Sequence, residues 1–227
     1  MDFDVILKVF VMGVPIILAV TLHEAAHGYV ALHYGDDTAL RAGRLTLNPF
    51  AHVDMIGTIL IPGILLLTGA PFLFGYAKPV PVNFDRLDHP RLDMASVALA
   101  GPLTNIFLAF VSAFAFHLID FFPSSWADSL HQALSMSVMI NVTLALFNMI
   151  PLPPLDGGRV AVGLLPNLLA EPLARLERYG MFILFGLIFF VPFVTQKLGN
   201  QIDPISWLLH KPREIVLMMI SKLAGIA

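Results

Sequence analysis

The sequence has no cysteine and few charged residues, which make up 13% of its 227 residues. Without cysteine it has neither a disulfide framework nor a thiolate ligand, so any metal site must be built from His, Asp and Glu. Average soluble domains carry about 25% charged residues, whereas this chain is 57% hydrophobic with a formal net charge of −3. No basic stripe is present to bind nucleic acid. The composition excludes a soluble enzyme, a disordered chain and a nucleic-acid-binding protein.

Charged residues are absent from four long stretches of the sequence, and these stretches predict membrane spans. No Asp, Glu, Lys or Arg occurs in residues 55–77, 94–119, 129–155 or 179–196, which are gaps of 23, 26, 27 and 18 residues. A spanning helix needs about 20 apolar residues. An earlier apolar run predicts a first span at residues 5–33, ended by Gly35. Its acidic flank and the lack of a small-residue cleavage site argue against a signal peptide.

After the first span, firm spans are predicted at residues 94–122 and about 131–152, with a shorter one at about 179–194. The tail after Asp203 is predicted either to lie in the interface or to cross. We expect one domain over residues 1–227, with a core at 5–165 and C-terminal helices at 173–227.

The stretch before the firm spans is less regular. Residues 35–54 alternate in polarity and predict short strands and turns. Residues 56–70 are broken by Gly and Pro, which favours a re-entrant helix over a span. The proline pattern of residues 74–83 predicts an extended segment, which would be an edge strand if it is a strand. The predicted fold class is therefore an all-α polytopic membrane protein, a bundle of about four to six transmembrane helices with a small β or re-entrant element between the first and second firm spans.

His23, Glu24 and His27 form an HExxH pattern near the end of the first span. On a helix, imidazoles at i and i+4 lie on one face and can bind one metal ion. Glu24 is adjacent and can act as a general base toward a water at the metal. Ionisable residues cost about 2.5 to 3.5 kcal/mol at the centre of a bilayer and rarely occur there without a partner. A wet helix end without function is the alternative.

Asp156 is the best candidate for the third protein ligand that a catalytic zinc site requires. It follows 27 uncharged residues and precedes Gly157 and Gly158, which allow the backbone to turn the carboxylate inward. An ordinary Asp-Gly turn is the alternative. Asn141 and Asn148 share one helical face and can donate to a developing oxyanion. For Asn141, hydrogen bonding between helices is the favoured interpretation.

The segments HEAAH and NMIPLPPLDGG together resemble the site-2 protease family of intramembrane zinc metalloproteases, peptidase family M50. The resemblance extends through NPFAHVD, GYAKPVPVN and AGPLTN and covers about residues 5–165. The length is similar to that of the minimal bacterial and archaeal type without PDZ or CBS domains. The resemblance implies an endopeptidase in the lipid bilayer that cleaves single-span transmembrane proteins and uses one Zn²⁺ per chain.

The resemblance also implies roles for individual residues. The zinc ligands would be His23, His27 and Asp156, the general base Glu24, and the group that holds the substrate carbonyl or oxyanion Asn148. An extended substrate would add as a strand to the segment made of Gly75, Tyr76, Ala77, Lys78, Pro79, Val80, Pro81, Val82 and Asn83. Contacts that support the ligands, or structural roles, are expected for Asn48, His52, Asp54, Asn105 and Asn141.

A shared metal ion constrains the topology. If His23 and Asp156 bind one ion, the first span and the span before Asp156 must run parallel, so residues 34–93 must return to the side that they left. The turn at Pro123 has no Lys or Arg, whereas the opposite side is rich in Arg. By the positive-inside rule the site faces the cytosol and the amino terminus lies outside. We expect a multi-pass protein of a prokaryotic inner membrane.

Two other functions are compatible with the pattern. Intramembrane His and Asp can form a relay in a zinc or proton transporter, although such a site has no specific need for Glu24. A membrane scaffold with a structural zinc ion would need a fourth protein ligand, for which His52 or Asp54 is a candidate.

Overall fold

Helices make up the regular structure of the residues that the computed structural model describes, 3–67, 75–200 and 202–226. The α-helices are α1 (Phe3–His33), α2 (Thr38–Arg41), α3 (Ile61–Leu67), α4 (Pro90–Phe114), α5 (Ser124–Asn148), α6 (Asp156–Leu164), α7 (Asn167–Arg175), α8 (Glu177–Phe185), α9 (Val191–Lys197) and α10 (Pro204–Ala224). Short 3₁₀ or π-helical turns lie at Pro49–His52, Met55–Leu60, Phe84–Arg86, Ala115–Phe121 and Gly186–Phe190. None of the described residues forms a strand.

Four segments are long and apolar enough to cross a membrane: Gly13–His33, Pro90–Phe121, Ser124–Asn148 and Glu177–Lys197. The all-α membrane protein predicted from the charge gaps is thereby confirmed. The third segment begins directly after Pro123, earlier than expected from its hydropathy. The last one joins α8 and α9 through a π-helical turn.

The helices α1, α4 and α5 pack closely because small residues line their contacts. Ala19 on α1, Ala109 on α4 and Ala145 on α5 are all buried, and small side chains let membrane helices approach one another. The tail forms α10, and its Ile220 and Ala224 belong to the same buried cluster as Ala109. The carboxyl-terminal helix therefore packs on the core helices.

The strands predicted in residues 35–54 are wrong, because this region forms α2 and a 3₁₀ turn at Pro49–His52. Short side chains hydrogen-bond the backbone locally here. The Asp36 carboxylate accepts from the Thr38 amide at 3.0 Å, and Asn48 Oδ1 accepts from the Phe50 amide at 3.1 Å. Such bonds favour turns over a strand ladder, so alternating polarity is a misleading signal here.

Residues 56–67 form a π-helical turn followed by α3. The apolar helical stretch Met55–Leu65 is shorter than the four candidate spans. Residues 68–70 of the predicted re-entrant helix lie outside the described residues. Residues 75–83, here called the extended segment, have no helical structure and belong to no strand ladder within the described part of the chain.

Candidate active site

His23, His27 and Asp156 meet where α1 passes the beginning of α6. His23 Nε2 lies 3.1 Å from His27 Nε2 and 3.2 Å from Asp156 Oδ2. His27 Nε2 lies 3.4 Å from the same carboxylate oxygen. Tetrahedral zinc with bonds of about 2.0 to 2.1 Å places neighbouring ligand atoms roughly 3.3 Å apart. The three atoms therefore have the spacing of one face of a tetrahedral zinc site, which leaves a fourth position for chemistry.

The hydrogen bonds on the far side of both imidazoles fix their tautomers. His23 Nδ1 lies 2.6 Å from Asn105 Oδ1, and His27 Nδ1 lies 2.7 Å from the carbonyl oxygen of Val97. Both oxygens only accept, so each Nδ1 carries the proton and each Nε2 presents a lone pair. Asp156 Oδ2 is buried without a hydrogen-bond partner. The two Nε2 lone pairs and Asp156 Oδ2 therefore converge with no proton between them. Such a group of acceptors is suited to bind a cation.

Asn105 lies at the centre of a buried polar network behind His23. Its Nδ2 donates to the Ala19 carbonyl at 3.2 Å and to Asn141 Oδ1 at 2.7 Å. These two bonds orient the amide so that Oδ1 faces His23. The asparagines are 0% and 1% exposed, so no water competes with this arrangement. Asn105 is hydrogen-bonded to the candidate ligand His23, and Asn141 is linked to it through Asn105.

Gly101 brings the backbone of α4 against both imidazoles. A Cβ at this position would lie 2.5 Å from His23 Cε1 and 2.5 Å from His27 Nε2. No side chain fits at that distance, which explains why glycine stands in the AGPLTN segment. The sequence offered no sign of this contact, because it arises only when α1 and α4 pack together.

Glu24 and Asn148 lie at the same cavity as the three ligands. The cavity measures about 260 Å³, and its lining includes Glu24, Asn148, Val80 and Arg159 besides the ligands. Glu24 Oε2 accepts a hydrogen bond of 2.9 Å from the Val80 amide. The proposed general base is thus held against the extended segment and beside the ligand group.

One edge of the extended segment is anchored by hydrogen bonds to four parts of the chain. Tyr76 bonds to the Gly57 carbonyl at 3.1 Å and the Thr58 hydroxyl at 2.9 Å. The Lys78 amide donates to the His52 carbonyl at 2.9 Å, and Arg44 Nη2 donates to the Lys78 carbonyl at 2.7 Å. The Asn83 amide donates to Asp36 Oδ2 at 2.7 Å. The anchoring groups Asp36, Arg44 and Thr58 were missed by sequence reasoning.

Asp36 is the buried anchor at the end of the extended segment. Burial alone would raise its pKa, but hydrogen bonds from Thr38 and from the Asn83 amide, together with nearby Arg86, hold the pKa of Asp36 below its ordinary value. The carboxylate therefore stays ionised at neutral pH and keeps accepting these three bonds.

Asn48, His52 and Asp54 shape the loop that carries these anchors. Asp54 Oδ1 accepts from the amides of Ile56 at 3.0 Å and Gly57 at 2.7 Å, and His52 Nε2 donates to the Thr46 carbonyl at 3.0 Å. Within the described residues, His23, His27 and Asp156 are the one group with metal-binding spacing. Neither His52 nor Asp54 supplies the fourth ligand that a structural zinc site would require.

Comparisons with known proteins agree with this geometry. The profile described as "Peptidase family M50" matches residues 116–191. YwhC of Bacillus subtilis, named "Putative zinc metalloprotease", is 39% identical over 213 residues, which are 92% of this chain and 90% of that protein. The chain belongs to peptidase family M50. No solved structure matches it significantly.

Two further relatives are also named putative zinc metalloproteases. Rip2 of Mycobacterium tuberculosis strain Erdman is 29% identical over 81% of this chain and 68% of its own length. MJ0611 of Methanocaldococcus jannaschii is 38% identical over 61% of this chain and 62% of its own length. Family membership and the ligand geometry together identify the chain as a metalloprotease that uses zinc.

We expect Asn105→Ala to weaken zinc binding by about 10- to 100-fold, the usual cost of losing a group that orients a metal-bound imidazole. His23 would lose the acceptor that fixes its tautomer. The measurement is zinc affinity by competition with a calibrated chelator. Asn148→Ala is the matched control, because Asn148 lines the same cavity but is not among the described residues that hydrogen-bond the two imidazoles. Equal zinc affinities for the two variants would contradict the role given to Asn105.

Proposed function

We propose that this chain is an intramembrane endopeptidase that hydrolyses peptide bonds within the transmembrane segments of other membrane proteins. One observation carries the proposal: the HExxH pair lies within Gly13–His33, a helix apolar and long enough to cross a membrane. The carboxylate that completes the ligand group follows α5, a second such helix. A soluble substrate has no access to a site at that depth, whereas a segment already in the bilayer does.

Five side chains in the cavity have a defined part in hydrolysis. When bound, zinc polarises the peptide carbonyl and lowers the pKa of a water molecule. Glu24 takes a proton from the attacking water and later gives one to the departing amine. Asn148 donates its amide N–H to the substrate carbonyl oxygen as negative charge develops there. His23, His27 and Asp156 hold the ion.

The extended segment is proposed to hold the substrate as an added strand. On one edge the protein bonds both backbone groups of Tyr76 and Lys78 and the amide of Val80, while the N–H and C=O of Ala77 make no hydrogen bond to any described residue. A peptide bond within a helix is closed to attack, so the substrate must unwind before it can pair. Residues with poor helix propensity near the cut should therefore favour cleavage.

The whole chain is proposed to act as one catalytic domain. Within it, α3 and the π-helical turn Met55–Leu60 are proposed to enter the membrane without crossing it. A re-entrant element there keeps α1 and α5 parallel, as a shared metal ion requires. Helical backbone at membrane depth that does not span is tolerated where it packs on protein. The segment also carries Gly57 and Thr58, which hold the extended segment.

We propose that the site faces the cytosol of a prokaryotic cell and that the amino terminus lies outside. The chain around the site is rich in Arg, while the turn at Pro123 has neither Arg nor Lys, and cytoplasmic loops carry the excess of positive charge. We expect Ser124→Cys, in a protein without natural cysteine, to react with a membrane-impermeant maleimide in intact cells. Reaction only after lysis would reverse the orientation.

The test of the proposed activity is cleavage of a single-span substrate in liposomes. We expect the zinc-loaded protein to cut it, a strong chelator to abolish cutting, and one equivalent of zinc per chain to restore it. A His27→Ala protein is the control, because added zinc should not restore its activity. Cleavage that persists at full rate after complete removal of zinc would contradict the proposal.

A further inference from the structure

A second cavity, of about 400 Å³, lies beside the active site and shares no lining residue with it. It is bounded by residues 16–21 of α1, by the loop that contains the 3₁₀ turn Pro49–His52 and by the beginning of the extended segment. Its lining is almost wholly apolar and includes Ile17, Val20, Phe50, Val53, Tyr76 and Ala77. Its volume lies in the range of pockets that enclose small ligands.

The extended segment connects this cavity to the catalytic groups. Tyr76 and Ala77 line the apolar cavity, whereas Pro79 and Val80 line the active-site cavity, and the Val80 amide bonds Glu24. Val80, which contacts Glu24, lies three residues after Ala77 and four residues after Tyr76. In an extended chain this separation is about 10 to 13 Å. On α1, Val20 lies one turn before Glu24. A peptide paired with the extended segment would therefore pass both cavities.

We propose that this cavity is a specificity pocket, which takes a large apolar side chain of the substrate three to four residues from the bond that is cut. The inference rests on the proposed function. The segment beside the cavity is held rigidly by Gly57, Thr58 and His52, so the pocket is preformed. The N–H and C=O of Ala77, which bond to none of the residues that the structure describes, belong to a residue that lines the cavity and give an incoming strand a place to pair next to it.

The occupant is a substrate side chain rather than a lipid tail because Ala77, which offers the proposed strand-pairing groups, lines the cavity. Side chains of an extended peptide alternate between its two faces. Only one of the two candidate positions, the third or the fourth residue from the cut, therefore enters the pocket. Burial of a large apolar side chain there, relative to alanine, should raise kcat/KM by about tenfold or more.

The first test compares single-span substrates that carry Phe or Ala at each position from six residues before the cut to six after it. We expect the Phe-to-Ala ratio of kcat/KM to peak at one position, three or four residues from the cut. Ile17→Trp, which fills the pocket from α1, should reduce that ratio to near one. Leu18→Trp, on the same exposed part of α1 but outside the lining, should keep the parent ratio.

The second test does not depend on cleavage. A benzophenone side chain is placed in turn at each position of the apolar segment of the substrate, and in the Glu24→Gln protein it should crosslink to peptides that contain Ile17 or Phe50 from one position and not from the two positions next to it. No peak in the scan of an active enzyme, an unchanged ratio in Ile17→Trp, or crosslinks elsewhere would overturn the pocket. A parent protein that fails to cut any substrate would instead refute the proposed activity. The crosslinking experiment would still test whether a substrate side chain enters the pocket.

Discussion

A Glu24→Gln protein should bind zinc like the parent and cleave transmembrane substrates at least 10²- to 10⁴-fold more slowly, the usual contribution of a general acid–base. Glutamine keeps the shape of the side chain and can still receive the Val80 hydrogen bond through its amide oxygen, but it cannot take a proton from water. The measurement is kcat on a single-span substrate in liposomes, with zinc content determined on the same preparation.

The variant separates chemistry from metal binding, because Glu24 is not one of the three ligands. Asn148→Ala should also retain zinc and should lower kcat by roughly 10² to 10³, as expected for the loss of one oxyanion donor. Loss of zinc from Glu24→Gln, or cleavage as fast as the parent, would remove Glu24 from the role of base.

A Gly101→Ala protein should lose most of its zinc, with affinity at least about tenfold weaker and activity reduced in proportion. The new methyl group would lie 2.5 Å from atoms of both imidazoles. Neither ring can yield without breaking its Nδ1 hydrogen bond, to Asn105 for His23 and to Val97 for His27. Zinc content after gel filtration in detergent measures the effect.

Gly13→Ala is the matched control, since it adds the same methyl group within the span that carries both histidines. A Cβ at Gly13 meets nothing within 4 Å, so this variant should keep full zinc content and full activity. Circular dichroism on both variants checks that the helices form. A Gly101→Ala protein that is folded and binds zinc as tightly as the parent would show that α4 does not constrain the ligands.

The group of candidate ligands that the structure brings together could be predicted because its signals are local. His23 and His27 lie four residues apart on a helix, and Asp156 is the first charge after a long uncharged gap. Spans are visible in sequence for a related reason, since charge is costly in hydrocarbon. These features follow from spacing and solvation alone, without knowledge of how the helices pack.

The features that sequence reasoning missed depend on packing or on local capping. Gly101 matters only because α4 crosses α1 at the imidazoles, and Arg44 only because its guanidinium reaches a carbonyl 34 residues away. The strands expected in residues 35–54 failed for another reason. Side chains such as Asp36 and Asn48 bond to nearby amides, and these bonds outweigh an alternating pattern.

The location of the cut bond tests the central claim most directly. A single-span substrate should be incubated with zinc-loaded protein in liposomes, and its two products identified by mass spectrometry. The account predicts one main cut within the apolar segment of the substrate and no such products with the Glu24→Gln protein. A cut confined to the soluble flanks, or the same products from both proteins, would contradict it.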